Sequence, residues 1–154
     1  MKQSMRVSDV MNIKVAVISV DATIRLAAEL LTLTQAADLI VVDAERNFLG
    51  VVSEGDLIRA LLPDFNEVVK AGGSLDAAAQ MFLDNGRNLE HESIKRLIIF
   101  NPITVTPDED LLKVSTVMME KMIRRLPVVE RGRFVGSISR ADICWALLCA
   151  PRTG

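Results

Sequence analysis

At 154 residues the chain has room for one ordinary domain or two half-sized units, long enough to bury about two thirds of the surface it exposes when unfolded. A formal charge of -2 excludes the basic excess with which duplex-binding proteins neutralise phosphates. Mean hydropathy is +0.30 and half of the residues are hydrophobic, yet no run reaches the roughly 18 apolar residues of a membrane span, so the apolar surplus is expected in an oligomer interface.

Taken in order, residues 1–12 read as a lead-in in which Val7, Val10 and Met11 pack as a short helical turn before a strand at Val15–Ile18. Nothing in this start has the apolar core of a signal peptide, so a cytoplasmic protein is expected. Ser19 is placed to cap a helix whose Ile24, Ala27, Ala28 and Leu31 make one apolar stripe. Leu39–Val42 and Phe48–Val52 are β-rich runs joined by a turn-like Asp43–Asn47, and Ser53 starts a second helix through Leu62.

Residues 63–97 carry no strand pattern. Asp64 caps a short helix that Gly72 and Gly73 break, and Ser74 caps another with Leu75, Ala78, Ala79 and Phe82 on one face, closed by Asn85 and Gly86. One or two helical turns around His91–Leu97 follow. From Pro102 the first pattern returns: a strand at Ile103–Val105, then a Thr106–Glu109 capping box with Pro107 at the first helical position. The helix, roughly Pro107–Ile123, buries Leu111, Val114, Met118 and Met122. Leu126–Val129 and Phe134–Ile138 flank the hairpin loop Arg131–Arg133, and the last helix runs from Ser139 to about Leu148, before Pro151.

Ser19–Asp43 overlays Thr106–Glu130 without a gap, and one deletion in the hairpin loop brings Gly50 onto Gly136. The order strand, helix, strand, strand, helix therefore occurs twice. A unit of this size buries only one face of its sheet, so the two are expected to pack sheet to sheet about a pseudo-twofold axis. Each copy carries glycine, two strand residues, serine, two variable residues and aspartate: Gly50–Asp56 and Gly136–Asp142.

These two segments, together with the stretches Pro102–Pro107 and Arg124–Val129, resemble the tandem CBS-domain family, named after cystathionine β-synthase, over about residues 7–62 and 98–149. The resemblance implies an α+β fold of two β-α-β-β-α repeats, with a helical insert at 63–97. It also implies a regulatory module, not an enzyme, that binds adenosine-containing ligands in clefts between the repeats. The expected ligands are AMP, ADP or ATP, ahead of S-adenosylmethionine, with no obligatory cofactor. It implies a homodimer of four repeats that signals to a partner protein; the charge and the absence of a long apolar run leave no nucleic-acid duplex and no membrane among the expected partners.

The residues suit that ligand class. An aspartate one helical turn past a strand end accepts hydrogen bonds from both ribose hydroxyls, while a helix N-cap serine and its neighbouring amides suit a phosphate. Asp56 and Asp142 are the expected ribose contacts, Ser53 and Ser139 the hydroxyl partners, and Arg140, Arg124 and Arg125 the phosphate cations. The family resemblance adds Ile103, Thr104 and Pro127 as adenine contacts. The first repeat has Val15 and Ile40 where the second has Pro102 and Pro127, Ala37 and Asp38 for Arg124 and Arg125, and Glu54 for Arg140. Carboxylates repel phosphate, which ranks the Asp142 site first.

The alternative is a structural or dimerisation module that needs no ligand, its two S-x-x-D segments only capping helices. The glycine before each segment is also explained by relief of crowding in a strand. Arg131 and Arg133 read as surface residues, His91 as exposed, and Cys144 and Cys149 as reduced, partly buried thiols. Met118, Met119, Met122, Trp145 and Phe82 read as core or dimer contacts. No metal cluster, phosphate-binding loop or catalytic triad is legible.

Overall fold

A computed structural model describes residues 4–151. It contains both repeats as mixed α and β units. The elements are β1 (Val17–Ser19), α1 (Ile24–Thr34), β2 (Asp38–Val42), β3 (Phe48–Ser53), α2 (Glu54–Leu61), α3 (Phe65–Lys70), α4 (Leu75–Leu89), β4 (Ile99–Phe100), α5 (Leu111–Glu120), β5 (Arg125–Glu130), β6 (Arg133–Ser139) and α6 (Arg140–Cys144), the last continued by a π-helical turn over Trp145–Cys149.

The backbone divides into two compact units that do not follow chain order. One holds Ala16–Val41 and Leu49–Phe100; the other holds, among the described residues, 4–15, Val42–Phe48 and 101–151. The first has a sheet in the order β1-β2-β3-β4, and Leu39, Val41 and Val52 pack with Ile24, Ala27 and Leu31 of α1 and with Ile94. The second is built on the antiparallel pair β5-β6, and its core joins Leu126, Val128 and Ile138 to Leu111, Val114 and Met118 of α5 and to Val7.

The lead-in of each repeat completes the other repeat's sheet. Asn12 pairs with Ser137 beside β6, while β4, just before the second repeat, pairs with β3. Each motif glycine admits that neighbour. A Cβ at Gly50 would lie 2.3 Å from the Ile99 carbonyl oxygen, and one at Gly136 would lie 2.9 Å from that of Asn12. Relief of crowding is therefore what these glycines supply.

The same exchange moves both helix starts. Ala22 and Glu109 hold corresponding places, and their carbonyls accept from the N–H groups of Ile94 and Val7 at 3.0 Å in each case. Those carbonyls are thereby turned outward, and the helices begin later than the capping signals imply. The Ser19 hydroxyl closes a turn by accepting from Asp21 N–H, and Thr106 closes another with Asp108 and Glu109. Thr23 caps α1 in place of Ser19, and Asp110 caps α5 in place of the Thr106 box.

Other expectations need correction. Ile103–Val105 forms no strand; only Val105 bridges to Val128. The first strand begins at Val17 and not at Val15. Met122 is 80% exposed because its backbone turns to φ 55 just past α5, carrying the side chain off the buried stripe. Ala28 is exposed on α1. In α4 the inward positions are Ala78, Met81, Asn85 and Leu89, whereas Leu75 is 85% and Phe82 40% exposed. Asn85 and Gly86 do not end that helix: the Asn85 amide donates to the Leu61 carbonyl at 2.9 Å, docking α4 on the end of α2. Met119 and Trp145 are exposed, which takes them out of the core but is no correction to a dimer contact, and both thiols are exposed in place of the expected partial burial.

The remaining caps stand where the residue types place them. Ser53, Asp64, Ser74 and Ser139 each accept from an amide in the first turn of the following helix. Arg131 and Gly132 both have positive φ in the two-residue turn between Glu130 and Arg133, the geometry that matches the twist of a tight hairpin.

Candidate functional site

Each repeat delivers its aspartate by the same device. The last residue of the hairpin is an extended serine, the next three begin a helix, and the aspartate falls on the third helical position. Ser139 Oγ accepts from Asp142 N–H at 3.0 Å, and Asp142 Oδ2 accepts from Ser139 N–H at 2.9 Å. Ser53 and Asp56 repeat both bonds, at 3.2 and 2.8 Å. The capping box predicted from S-x-x-D is thus present twice.

The two carboxylates differ in what else holds them. Asp56 is 7% exposed; its Oδ2 also accepts from the Ser53 hydroxyl at 2.8 Å, and its Oδ1 accepts from Arg59 Nη2 at 2.5 Å. Asp142 is half-buried, and among the described residues its Oδ1 has no hydrogen-bond partner. A carboxylate offers about four acceptor positions. Three are engaged at Asp56 and one at Asp142, leaving room for a two-hydroxyl ligand only at the second.

The backbone of the second repeat sets Arg124 and Arg125 beside Ser139 and Arg140. Arg125 pairs in register with Ser139, and the Arg124 carbonyl accepts from Arg140 N–H at 3.0 Å. Arg124 is exposed, while Arg125 Nη1 donates to the buried Ser137 hydroxyl at 2.6 Å. Arg140 reaches away along α5, donating to the carbonyls of Ile123 at 2.9 Å and Met118 at 3.3 Å, where a cation complements the negative end of the helix. Pro127 is buried and its carbonyl accepts from Val105 N–H, and Ile103 and Thr104 lie exposed just before that bridge.

Glu54 takes the place of Arg140 in the first repeat and makes the same backbone bond, Glu54 N–H to the Ala37 carbonyl at 3.1 Å. Among the described residues no guanidinium crosses the end of α1. A cavity of about 490 Å³ lies there instead, lined by Leu31, Gln35, Ala36, Glu54 and Leu57 among others. Asp56 and Ser53 do not line it, so this cavity is not the carboxylate site.

Arg59 and Ser137 are the contacts sequence reasoning missed. Arg59 was findable, since it lies one helical turn after Asp56. Ser137 was not, because only the pairing of β5 with β6 sets it before Arg125. His91 is exposed, with its nearest ion-pair partner Glu90 at 3.2 Å. Among the described residues no group of histidine, cysteine, aspartate or glutamate is arranged to hold a metal, and no helix is long and apolar enough to cross a membrane.

Fold and site define a protein of two α+β repeats with a capped acidic turn in each copy. The CBS domain profile matches residues 7–63 and 92–149, and the chain belongs to the CBS-domain family. An uncharacterized protein of Methanocaldococcus jannaschii, MJ1426, is 47% identical over 119 residues, covering 70% of this chain and 71% of that one. Another from the same organism, MJ1225, is 29% identical over 136 residues, and this chain spans only 40% of its length. The CBS-pair protein CBSX2 from Arabidopsis thaliana superimposes with a TM-score of 0.75 at 25% identity, covering 95% of this chain and 96% of CBSX2. Its crystal structure in complex with AMP gives 0.70 at 26% identity, covering 93% and 96%.

Proposed function

We propose that the chain is a regulatory module that binds an adenosine-containing ligand at the Ser139–Asp142 turn of the second repeat and passes its ligand state to a partner protein. The observation that carries this reading is Asp142 itself: its carboxylate is fixed by one capping bond and keeps the acceptor positions that a ribose diol requires. The CBSX2 complex with AMP supports the ligand class. Ser139, Arg124 and Arg125 are the phosphate-side residues, and Ile103, Thr104 and Pro127 the base-side ones. Arg140 joins the phosphate side only by releasing the carbonyls of Met118 and Ile123. Ligand acts by binding one arrangement of the protein better than another, so regulation needs a difference in affinity between states.

AMP, ADP and ATP are the expected ligands, with S-adenosylmethionine behind them. The module is expected to work as a homodimer without catalytic activity of its own. Calorimetry with the four compounds tests the reading. Heat of binding from at least one, lost in Asp142→Ala, supports it; no heat from any at millimolar ligand overturns it. Light scattering at micromolar protein tests the dimer, which a monomeric mass would refute.

A further inference from the structure

We infer that Arg59 is a built-in competitor for the ligand of the first repeat, holding the Asp56 carboxylate in the place a ribose would take. The inference rests on the reading of the aspartates as ribose acceptors and concerns the regulation of that chemistry.

Arg59 is one turn along α2 from Asp56, and its Nη2 meets Oδ1 at 2.5 Å. The guanidinium folds back over the start of the helix, where a Cβ on Gly55 would lie 3.4 Å from Nη1. The second repeat has Ala141 in place of Gly55 and Trp145 in place of Arg59, so it brings no cation to Asp142 from the corresponding position. Asp56 is buried within its pair, its side chain 8% exposed, while that of Arg59 is 69% exposed. An ion pair with one partner in solvent is weak and exchangeable. Such a pair tunes a site and does not abolish it. Ligand hydroxyls have to displace the guanidinium, which then swings into water at little loss.

Arg59 is no substitute phosphate cation here. With Asp56 and Glu54 in the same first turn, the local charge at the start of α2 stays acidic. The ligand class that fits an unlatched Asp56 is therefore a nucleoside without a phosphate, and adenosine is the probe.

The experiment titrates adenosine by calorimetry into the full chain carrying Asp142→Asn, with and without Arg59→Gln. The site read is then that of Asp56. Glutamine keeps a long, helix-favouring side chain, and Arg59→Met serves as a second neutral variant, both checked for folding by thermal melt. Removing this one weak competitor is expected to tighten adenosine binding by about two- to fivefold, and adding Asp56→Asn is expected to erase the gain. No tightening, or tightening that survives Asp56→Asn, overturns the role of Arg59. If the wild-type chain still binds adenosine or AMP in that case, the adenosine reading stands. If no chain binds either compound, that reading fails and the role of Arg59 falls with it.

Discussion

Alanine at each of the two aspartates separates binding from capping, because stability and affinity should rank the sites in opposite orders. Asp56→Ala removes a carboxylate that accepts three hydrogen bonds in a buried position, two from Ser53 and one from Arg59. Loss of the cap costs about 1 kcal/mol. The further charge-assisted bonds add about 1–2 kcal/mol once the exposure of Arg59 is discounted, for a total of about 2–3 kcal/mol. Asp142→Ala removes one such bond, from Ser139 N–H, together with the cap geometry, about 1 kcal/mol. At about 2–4 °C per kcal/mol for a protein of this size, the melting temperature should fall further for Asp56→Ala by several degrees. Affinity should run the other way. Two ribose hydroxyls on a carboxylate, at about 1.5 kcal/mol or more each, make Asp142→Ala weaken AMP by about 100-fold. Melting curves and calorimetry on the same preparations read both quantities. Equal affinity losses at the two sites, or a larger loss at Asp56, would refute the ranking. A loss of stability at Asp142 with unchanged AMP affinity would leave only the capping role.

Gly50→Ala should destabilise more than Gly136→Ala in urea unfolding, by about 3 kcal/mol against about 1, since its Cβ would press both the Ile99 carbonyl and, at 2.8 Å, Ile98 Cγ2; equal losses would contradict the packing of the lead-in strands. Arg140→Met should lower stability by about 1–2 kcal/mol by releasing the carbonyls of Met118 and Ile123, while Glu54→Arg should raise the melting temperature by placing a cation at the end of α1; unchanged melts in both would count against the helix-end role. The Asp43 carboxylate is held below its ordinary value of 3.8, foremost by the Asn47 side-chain amide. Its contribution to stability is therefore complete above that value and is lost as pH falls through the lower folded one. Asp43→Asn should flatten the acid limb of a melting-temperature profile, and an unchanged limb would exclude the contribution.

What was legible in the chain was whatever is encoded within a few residues. The hairpins, the caps at Ser53, Asp64, Ser74 and Ser139 and the doubled S-x-x-D box all depend on near neighbours, so residue types determined them. The charge difference between Glu54 and Arg140 was equally plain. Local signals misled where a distant segment competed for the same backbone groups. Ser19 and Thr106 look like caps, yet three residues on, the carbonyls of Ala22 and Glu109 accept from Ile94 and Val7 instead of from the next helical turn. Asn85 and Gly86 look like a stop, but the end of α2 takes up the asparagine amide.

By itself, then, the sequence determined two copies of one unit and an aspartate at the head of a helix in each. Only the tertiary structure decided which lead-in completes which sheet, because an edge strand pairs with whatever backbone lies open beside it. It also decided how each carboxylate is held. Arg59 closes on Asp56 while Arg140 turns away to the end of α5, since a guanidinium goes to the acceptors within its reach.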